Sequence, residues 1–369
     1  MEIDQKVYSE IKVKEVTGRY VTNHEVFNFF DKLDASFQIM EIGTSVQQRS
    51  IKSITFGTGQ QRVLMWSQMH GNESTTTKAV LDFISLIFQK REDVASILNA
   101  CTFTIIPILN SDGAAAYTRV NANKVDLNRD AQERSQPESK ILRAVYNSFT
   151  PHYCFNLHDQ RTIFNVGSTN KPATVSFLAP AFDEARNISP SRKKSMLLIA
   201  AMNKSLQSQI PGQVGRYDDA FNANCVGDAF QMLETPTVLF EAGHFKDDYE
   251  REITRAYIFQ AMLSGVRTIA HGEINLYEIA EYQNIPENSK QFFDVIVENA
   301  SVVNSKYKES EPIGILYKEV LKECAIHFKP TVEKIGFENE TYFAHKQMDC
   351  HKQTDLDWLA KRGILALLK

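Results

Sequence analysis

Three short apolar runs break off at polar residues in the same way, and this repeated pattern constrains the fold most. Val63–Trp66 (VLMW) leads within a few residues into His70-Gly71-Asn72-Glu73. Tyr153–Leu157 runs into His158, and Thr237–Phe240 into Glu241. Runs this short and this apolar suit strands covered on both faces. Helical patterns alternate with them. Over Thr75–Arg91, Ala79, Val80, Phe83, Ile84, Ile87 and Phe88 recur at helical spacing, which gives a wide apolar face. Strand–helix alternation predicts an α/β fold with a mixed, mainly parallel central sheet flanked by helices. Such sheets bind ligands in a crevice outside the carboxyl ends of their strands. The three polar ends are therefore expected to meet in one crevice.

The remaining segments extend the pattern. A helix is expected at His24–Leu33, paired strands at Phe37–Val46 and Ile51–Phe56, and a hairpin turn at Gly57–Gln61 (GTGQQ). Phe103–Leu109 reads as another buried strand, ending in the turn cluster Asn110-Ser111-Asp112-Gly113. The polar stretch Ala114–Glu133 is longer than ordinary connections, and such loops are commonly functional. Helices are expected at Glu138–Phe149, Arg192–Gln209 and Tyr249–Ala270, with a loop at Gly212–Gly227. Near Pro286, Asn288 and Ser289 the pattern changes. Phe292–Val297, Ile313–Val320, Ala325–Phe328 and Thr341–Ala344 read as strands. The expected division is a catalytic domain over residues 1–285 and a small β-rich carboxyl-terminal domain over 286–369.

Composition excludes some classes of function. The formal charge of −4 over 369 residues gives no polyanion signal, so nucleic acid is not an expected partner. No apolar run is long enough to span a bilayer, so no membrane partner is expected. The opening MEIDQKVYSEIKVKEV shows no secretory pattern. The five cysteines are scattered without a CxxC pair. Reduced, mostly buried thiols and a cytoplasmic location are expected.

The strand ends suggest specific chemistry. A catalytic zinc site takes about three protein ligands and leaves one position open. His70, Glu73 and His158 would supply two imidazoles and one carboxylate. A single strand-end histidine is more often structural, so the case rests on their joint occurrence. Asp126 can accept the second N–H of a metal-bound histidine, or can cap a turn. Arg119 and Arg129 can bind a carboxylate or stabilise an oxyanion, although a lone arginine is usually solvated. Glu241 can act as general base and acid, or form a strand-end ion pair. His244 reads as a supporting or structural residue.

HGNE (His70–Glu73), NSDG (Asn110–Gly113), RVNANKVDLNRD (Arg119–Asp130), NLHD (Asn156–Asp159) and FEAG at Glu241 together resemble the zinc metallocarboxypeptidase family related to carboxypeptidase A. The resemblance spans roughly residues 41–270 and is nearest the bacterial branch of murein-peptide and γ-glutamyl peptidases. It implies one Zn2+ held by His70, Glu73 and His158, with Asp126 supporting a ligand. It implies that Arg119 polarises the scissile carbonyl and that Asn128 and Arg129 clamp the substrate's terminal carboxylate. Glu241 would be the general base and acid, and Tyr217 the candidate for a tyrosine on a mobile loop.

The implied activity is zinc-dependent hydrolysis of a peptide bond next to a free carboxyl terminus. HGNE, DLNR and the small β domain also resemble aspartoacylase and succinylglutamate desuccinylase, which implies an N-acyl amino acid substrate as the alternative. A binding module without catalysis is a third reading, opposed by the presence of every expected reactive position.

Overall fold

The apolar runs form the middle of an eight-stranded sheet in the computed structural model, which describes residues 5–90 and 92–369. In chain order the strands are β1 (Gln38–Thr44), β2 (Ser50–Gly57), β3 (Gln61–Ser67), β4 (Cys101–Ile106), β5 (Tyr153–Asp159), β6 (Asn165–Val166), β7 (Val175–Leu178), β8 (Val214–Arg216) and β9 (Thr237–Ala242). All but β6 belong to this sheet, in the order β1-β2-β4-β3-β5-β9-β7-β8. Its centre, β4-β3-β5-β9, is parallel. The edge pairs β1–β2 and β2–β4, and the pair β7–β9, are antiparallel. The fold is the expected mixed, mainly parallel α/β sheet.

Strand periodicity divides the core in two. Val63 and Met65 face one core, built with the helices Thr75–Phe88, Pro190–Gln207 and Glu252–Ala270. Leu64 and Trp66 face the other, built with Pro137–Phe149 and Val226–Met232. Both sides of β3 are buried, as are all seven residues of β5. Each such large apolar side chain contributes roughly 1.5–3 kcal/mol.

The expected hairpin at GTGQQ does not form. The turn joins β2 to β3, but β4 lies between them, antiparallel to β2 and parallel to β3. The turn's amides bond to the incoming chain, Thr58 N–H to Leu98 O at 3.0 Å and Gly59 N–H to Cys101 O at 3.2 Å. A Cβ on Gly59 would lie 1.9 Å from the Ala100 carbonyl carbon. The close approach that invites a Gly-rich turn is made by β4.

Other boundaries also shift. The NSDG cluster starts a short helix, Ser111–Ala116, with Asn110 Oδ1 accepting from Gly113 N–H at 2.8 Å. The Gly212–Gly227 segment contains β8 and the first residues of the helix Val226–Met232. The long helix begins at Glu252 because Arg251 adopts a left-handed conformation, φ 53°. The last residue of the Thr75–Arg91 expectation lies outside the described residues, as do Met1–Asp4.

A second sheet holds β11 (Phe292–Glu298), β12 (Ile313–Lys322), β13 (Ala325–Ile335) and β14 (Phe343–Asp349), preceded by β10 (Asn288–Ser289). Its order is β13-β12-β11-β14. Two helices, Gln353–Lys361 and Ile364–Leu368, follow it and were not anticipated. The break near Asn288 is not a free linker, because β10 pairs with β6.

Among the described residues, no helix is long and apolar enough to cross a membrane. All five cysteines are unpaired; Cys101, Cys154 and Cys350 are buried, and Cys324 is exposed.

Candidate active site

β3, β5 and β9 run parallel and adjacent, so their carboxyl ends open on one cleft of about 470 Å3. His70, Glu73, Arg119, Asn128, Arg129, His158, Tyr217 and Glu241 all line it. At its floor, His70 Nδ1 lies 3.0 Å from Glu73 Oε1, His158 Nδ1 lies 2.9 Å from Glu73 Oε2, and the two Nδ1 atoms are 3.1 Å apart. All three side chains are buried.

The donor set fits a cation. His70 Nε2 lies 2.9 Å from Asp126 Oδ1. A carboxylate only accepts, so that nitrogen carries the proton and the neutral ring's Nδ1 offers a lone pair. That lone pair points at a second carboxylate and a second imidazole nitrogen. A divalent ion satisfies such a group, and two imidazoles with one carboxylate suit zinc.

Charges follow the same logic. Burial opposes ionisation of Glu73, but His70 and His158 hold its carboxyl well below the usual range. Burial also opposes charge on His70, yet Glu73 and Asp126 outweigh it and raise the imidazole's pKa. Burial lowers that of His158. Glu241 has the reverse environment: burial, then the charges of Glu73 and Asp159, push its carboxyl well above the usual range. Such a carboxyl is suited to hold a proton.

The long loop brings both arginines to the cleft. Asn121 Oδ1 accepts from Asn123 N–H and Val125 N–H, both at 3.1 Å, and folds the loop back. Asp126 then serves both roles open in the sequence. Its Oδ1 caps the turn Leu127–Arg129 through Asn128 N–H at 2.9 Å and also faces His70. Its Oδ2 takes Arg119 Nε at 3.1 Å, while Arg119 Nη1 reaches Glu73 Oε1 at 3.4 Å. Asn128 Oδ1 accepts from Val226 N–H at 3.0 Å, and Arg129 Nη1 donates to Cys225 Sγ at 3.1 Å. Tyr217 follows β8 and packs edge-on against Phe164, at 5.4 Å between ring centroids.

Several supporting residues escaped the sequence reading. Asp159 accepts from Thr75 N–H at 2.8 Å and Thr76 N–H at 3.1 Å, while its own N–H donates to Glu73 Oε2 at 3.1 Å. One residue thus caps the helix after Glu73 and fixes that carboxylate beside His158. The close approach of Gly71 and Gly113 locks the HGNE corner onto NSDG, since a Cβ on Gly71 would lie 1.9 Å from the Gly113 carbonyl carbon. His244 is structural, its Nε2 2.8 Å from Arg251 Nη2. Arg251 also donates from Nη1 to Ala242 O at 2.8 Å. Gly71 and Asp159 were signalled only by their places within HGNE and NLHD, His244 takes the structural reading the sequence offered, and Arg251 had no local signal.

Residues 28–158 match the family model described as zinc carboxypeptidase. A probable carboxypeptidase 2 of Arthroderma benhamiae is 25% identical over 129 residues, which is 34% of this chain and 24% of that protein. Carboxypeptidase 2 of Trichophyton equinum is 23% identical over 176 residues, 47% of this chain and 31% of that one. The chain thus spans about a quarter to a third of the length of these curated relatives. A metallo-carboxypeptidase from Burkholderia cenocepacia shares the fold with TM-score 0.55 at 16% identity, covering 69% of this chain and 70% of that one. Carboxypeptidase A from Helicoverpa armigera does so with TM-score 0.56 at 16% identity, covering 72% and 80%. Residues 28–158 are thus similar to the zinc carboxypeptidase family model, and the chain shares the fold of solved metallo-carboxypeptidases.

Proposed function

We propose that the protein hydrolyses the peptide bond next to a free carboxyl terminus, using one zinc ion held by His70, Glu73 and His158. The observation that supports this best is the convergence of two imidazole Nδ1 atoms on one buried carboxylate, in a cleft that also holds Glu241 and two arginines. Zinc, when bound, would supply a Lewis acid and make water acidic enough to ionise near neutral pH.

The chain's own residues would do the rest. Glu241 accepts the attacking water's proton and later delivers it to the leaving amine. Arg119, fixed by Asp126, faces the negative charge that develops on the carbonyl oxygen. Asn128 and Arg129 take the terminal carboxylate, with Arg129 supplying a guanidinium fork. Tyr217 is assigned to the substrate side of the same cleft. Asp126 orients His70 through its distal nitrogen. In this reading residues 1–285 are the catalytic unit and 286–369 the second domain. The unpaired thiols support a cytoplasmic setting.

The test pairs metal analysis with substrates differing only at the carboxyl end. One zinc per chain and release of the last residue from free-acid peptides, with at least a hundredfold slower action on their carboxyl-terminal amides, are expected. Equal rates on acids and amides would overturn the carboxylate clamp. N-acyl amino acids belong in the same panel, because the second sheet beside the core also fits a deacylase. A tenfold preference for them would move the assignment there.

A further inference from the structure

The second sheet reaches the cleft through one buried carboxylate. On β12, Tyr317 and Glu319 are two residues apart and share a face, and Phe328 of β13 lies opposite Glu319. The β12–β13 turn, Glu323-Cys324, has φ of 52° and 58°, the conformation that keeps a tight hairpin in register. Glu319 leaves the sheet and meets Arg19 Nη1 at 2.8 Å and Arg161 Nη2 at 2.5 Å, and Tyr117 Oη donates to it. Arg161 follows β5 closely, three residues after His158. It donates from Nη1 to Asn72 O at 2.8 Å, inside the HGNE corner, and lies over the Tyr117 ring at 5.5 Å.

Arg161 and Thr162 also form a wall shared by two cavities. One is the cleft described above. The other, of about 390 Å3, lies between the main unit and the second sheet. Its aromatic wall joins both units, with Tyr249 edge-on to Tyr317 at 5.4 Å and Phe328 tilted against Tyr249 at 5.3 Å between centroids. Asp294 lies in that wall, accepting from Tyr249 Oη at 2.8 Å and Tyr317 N–H at 2.7 Å. Tyr317 Oη is buried and has no hydrogen-bond partner among the described residues. Of the charged side chains lining the cavity, Asp294, Glu319 and Glu333 are acidic, against Arg161 and Lys318. Glu319 is shared by Arg161 and Arg19, so with Asp294 and Glu333 set against Lys318 the charges around the cavity balance. Its aromatic faces are what attract a cation, and an ammonium also gives Tyr317 Oη a donor.

We propose that this cavity between the two sheets extends the substrate site and receives the free α-ammonium end of a short peptide. It rests on the hydrolase reading for the identity of that peptide. Asn128 and Arg129 hold to the Cys225–Val226 segment, whereas Arg161 turns to the second sheet, so the two poles lie on different flanks of the cleft. The second domain then sets substrate length, because a peptide must span from one pole to the other.

The zinc-loaded full chain tests this by calorimetry with phenylalaninamide, which carries the ammonium and no carboxylate, and with its N-acetyl derivative. Wild-type protein is expected to bind the free amine at least fivefold more tightly than the acetylated one. Phe328→Ala, on a partly exposed hairpin, is expected to remove that difference. Tyr317→Phe is expected to weaken binding of the free amine alone. Peptide hydrolysis is measured in parallel, where Phe328→Ala should raise KM for free-amino tripeptides at least fivefold and leave that for N-acetylated ones unchanged. Amine binding that depends on Phe328 in a protein without peptidase activity would support the cavity and sink the proposed function. Equal binding of the two amides, or binding indifferent to Phe328, would overturn the cavity whatever the turnover.

Discussion

Glu241 stands directly beside His158, because the two are register partners on the adjacent parallel strands β5 and β9. Directly paired residues on neighbouring strands present their side chains to the same face. The spacing between the His158 imidazole and the Glu241 carboxyl is therefore set by backbone pairing and not by a loop. On its other side Glu241 pairs with Ser176 of β7, so it is held within the sheet. Such placement on a rigid element suits the general-base role proposed for Glu241.

Glu241→Gln keeps the shape and removes the proton acceptor. A neutral amide also suits the buried site that raises the carboxyl's pKa. The variant is expected to fold with an unchanged Tm and to keep its zinc while kcat falls about 100- to 10,000-fold, the usual contribution of general acid–base catalysis. Stopped assays with metal analysis on the same sample check it. A loss below tenfold would assign the proton transfer elsewhere.

Asp126→Asn tests the support of His70. The amide still accepts the Asn128 N–H through its oxygen, so the turn Leu127–Arg129 survives. The charge facing His70 Nε2 is lost, however, and Arg119 loses an ion-pair partner. Removing such an outer partner of a metal-bound histidine typically costs about 10- to 100-fold in metal affinity. Competition with a chelator measures this. Unchanged zinc affinity would leave Asp126 with the capping role alone.

The strand ends were legible in the sequence because each lies within a few residues of an apolar run whose direction the parallel sheet fixes. Arg119, Asn128 and Arg129 were legible as one unusual string. Asp159, Arg251 and Glu319 were not, because their work is tertiary. Asp159 caps a helix 84 positions away, and Glu319 crosses from a different sheet to Arg161. The GTGQQ turn misled for the same kind of reason: local turn chemistry was right, but β4, supplied from Cys101–Ile106, took the place of the expected partner.

Gly71→Ala probes the close approach between HGNE and NSDG. The added methyl would lie 1.9 Å from the Gly113 carbonyl carbon and 2.2 Å from Ala114 N, all backbone with no flexible side chain to yield. The corner carrying both His70 and Glu73 must move. Overpacking of this kind costs about 1–3 kcal/mol, and metal ligation tolerates little displacement. A lower Tm together with zinc content well below one per chain is expected. Full zinc occupancy at wild-type Tm would show that the two turns can separate freely.

The Glu319 cluster predicts a pH-dependent stability. Burial opposes its ionisation, but Arg19 and Arg161 outweigh it and hold its pKa down from 4.5 to about 2. The folded state therefore binds this proton less readily than the unfolded chain. Its stabilisation is present above about pH 4.5 and is lost as pH falls towards 2. A shift of this size corresponds to about 3 kcal/mol at neutral pH, on a side chain that is 7% exposed. Glu319→Gln leaves Arg19 buried without its anion, so it is expected to lower unfolding free energy by about 3 kcal/mol at pH 7. The gap between wild type and variant should shrink by more than half at pH 3. Urea titrations at the two pH values check both the size and the sign. A gap that stays constant or widens on acidification would mean that the carboxylate does not carry the link between the two sheets.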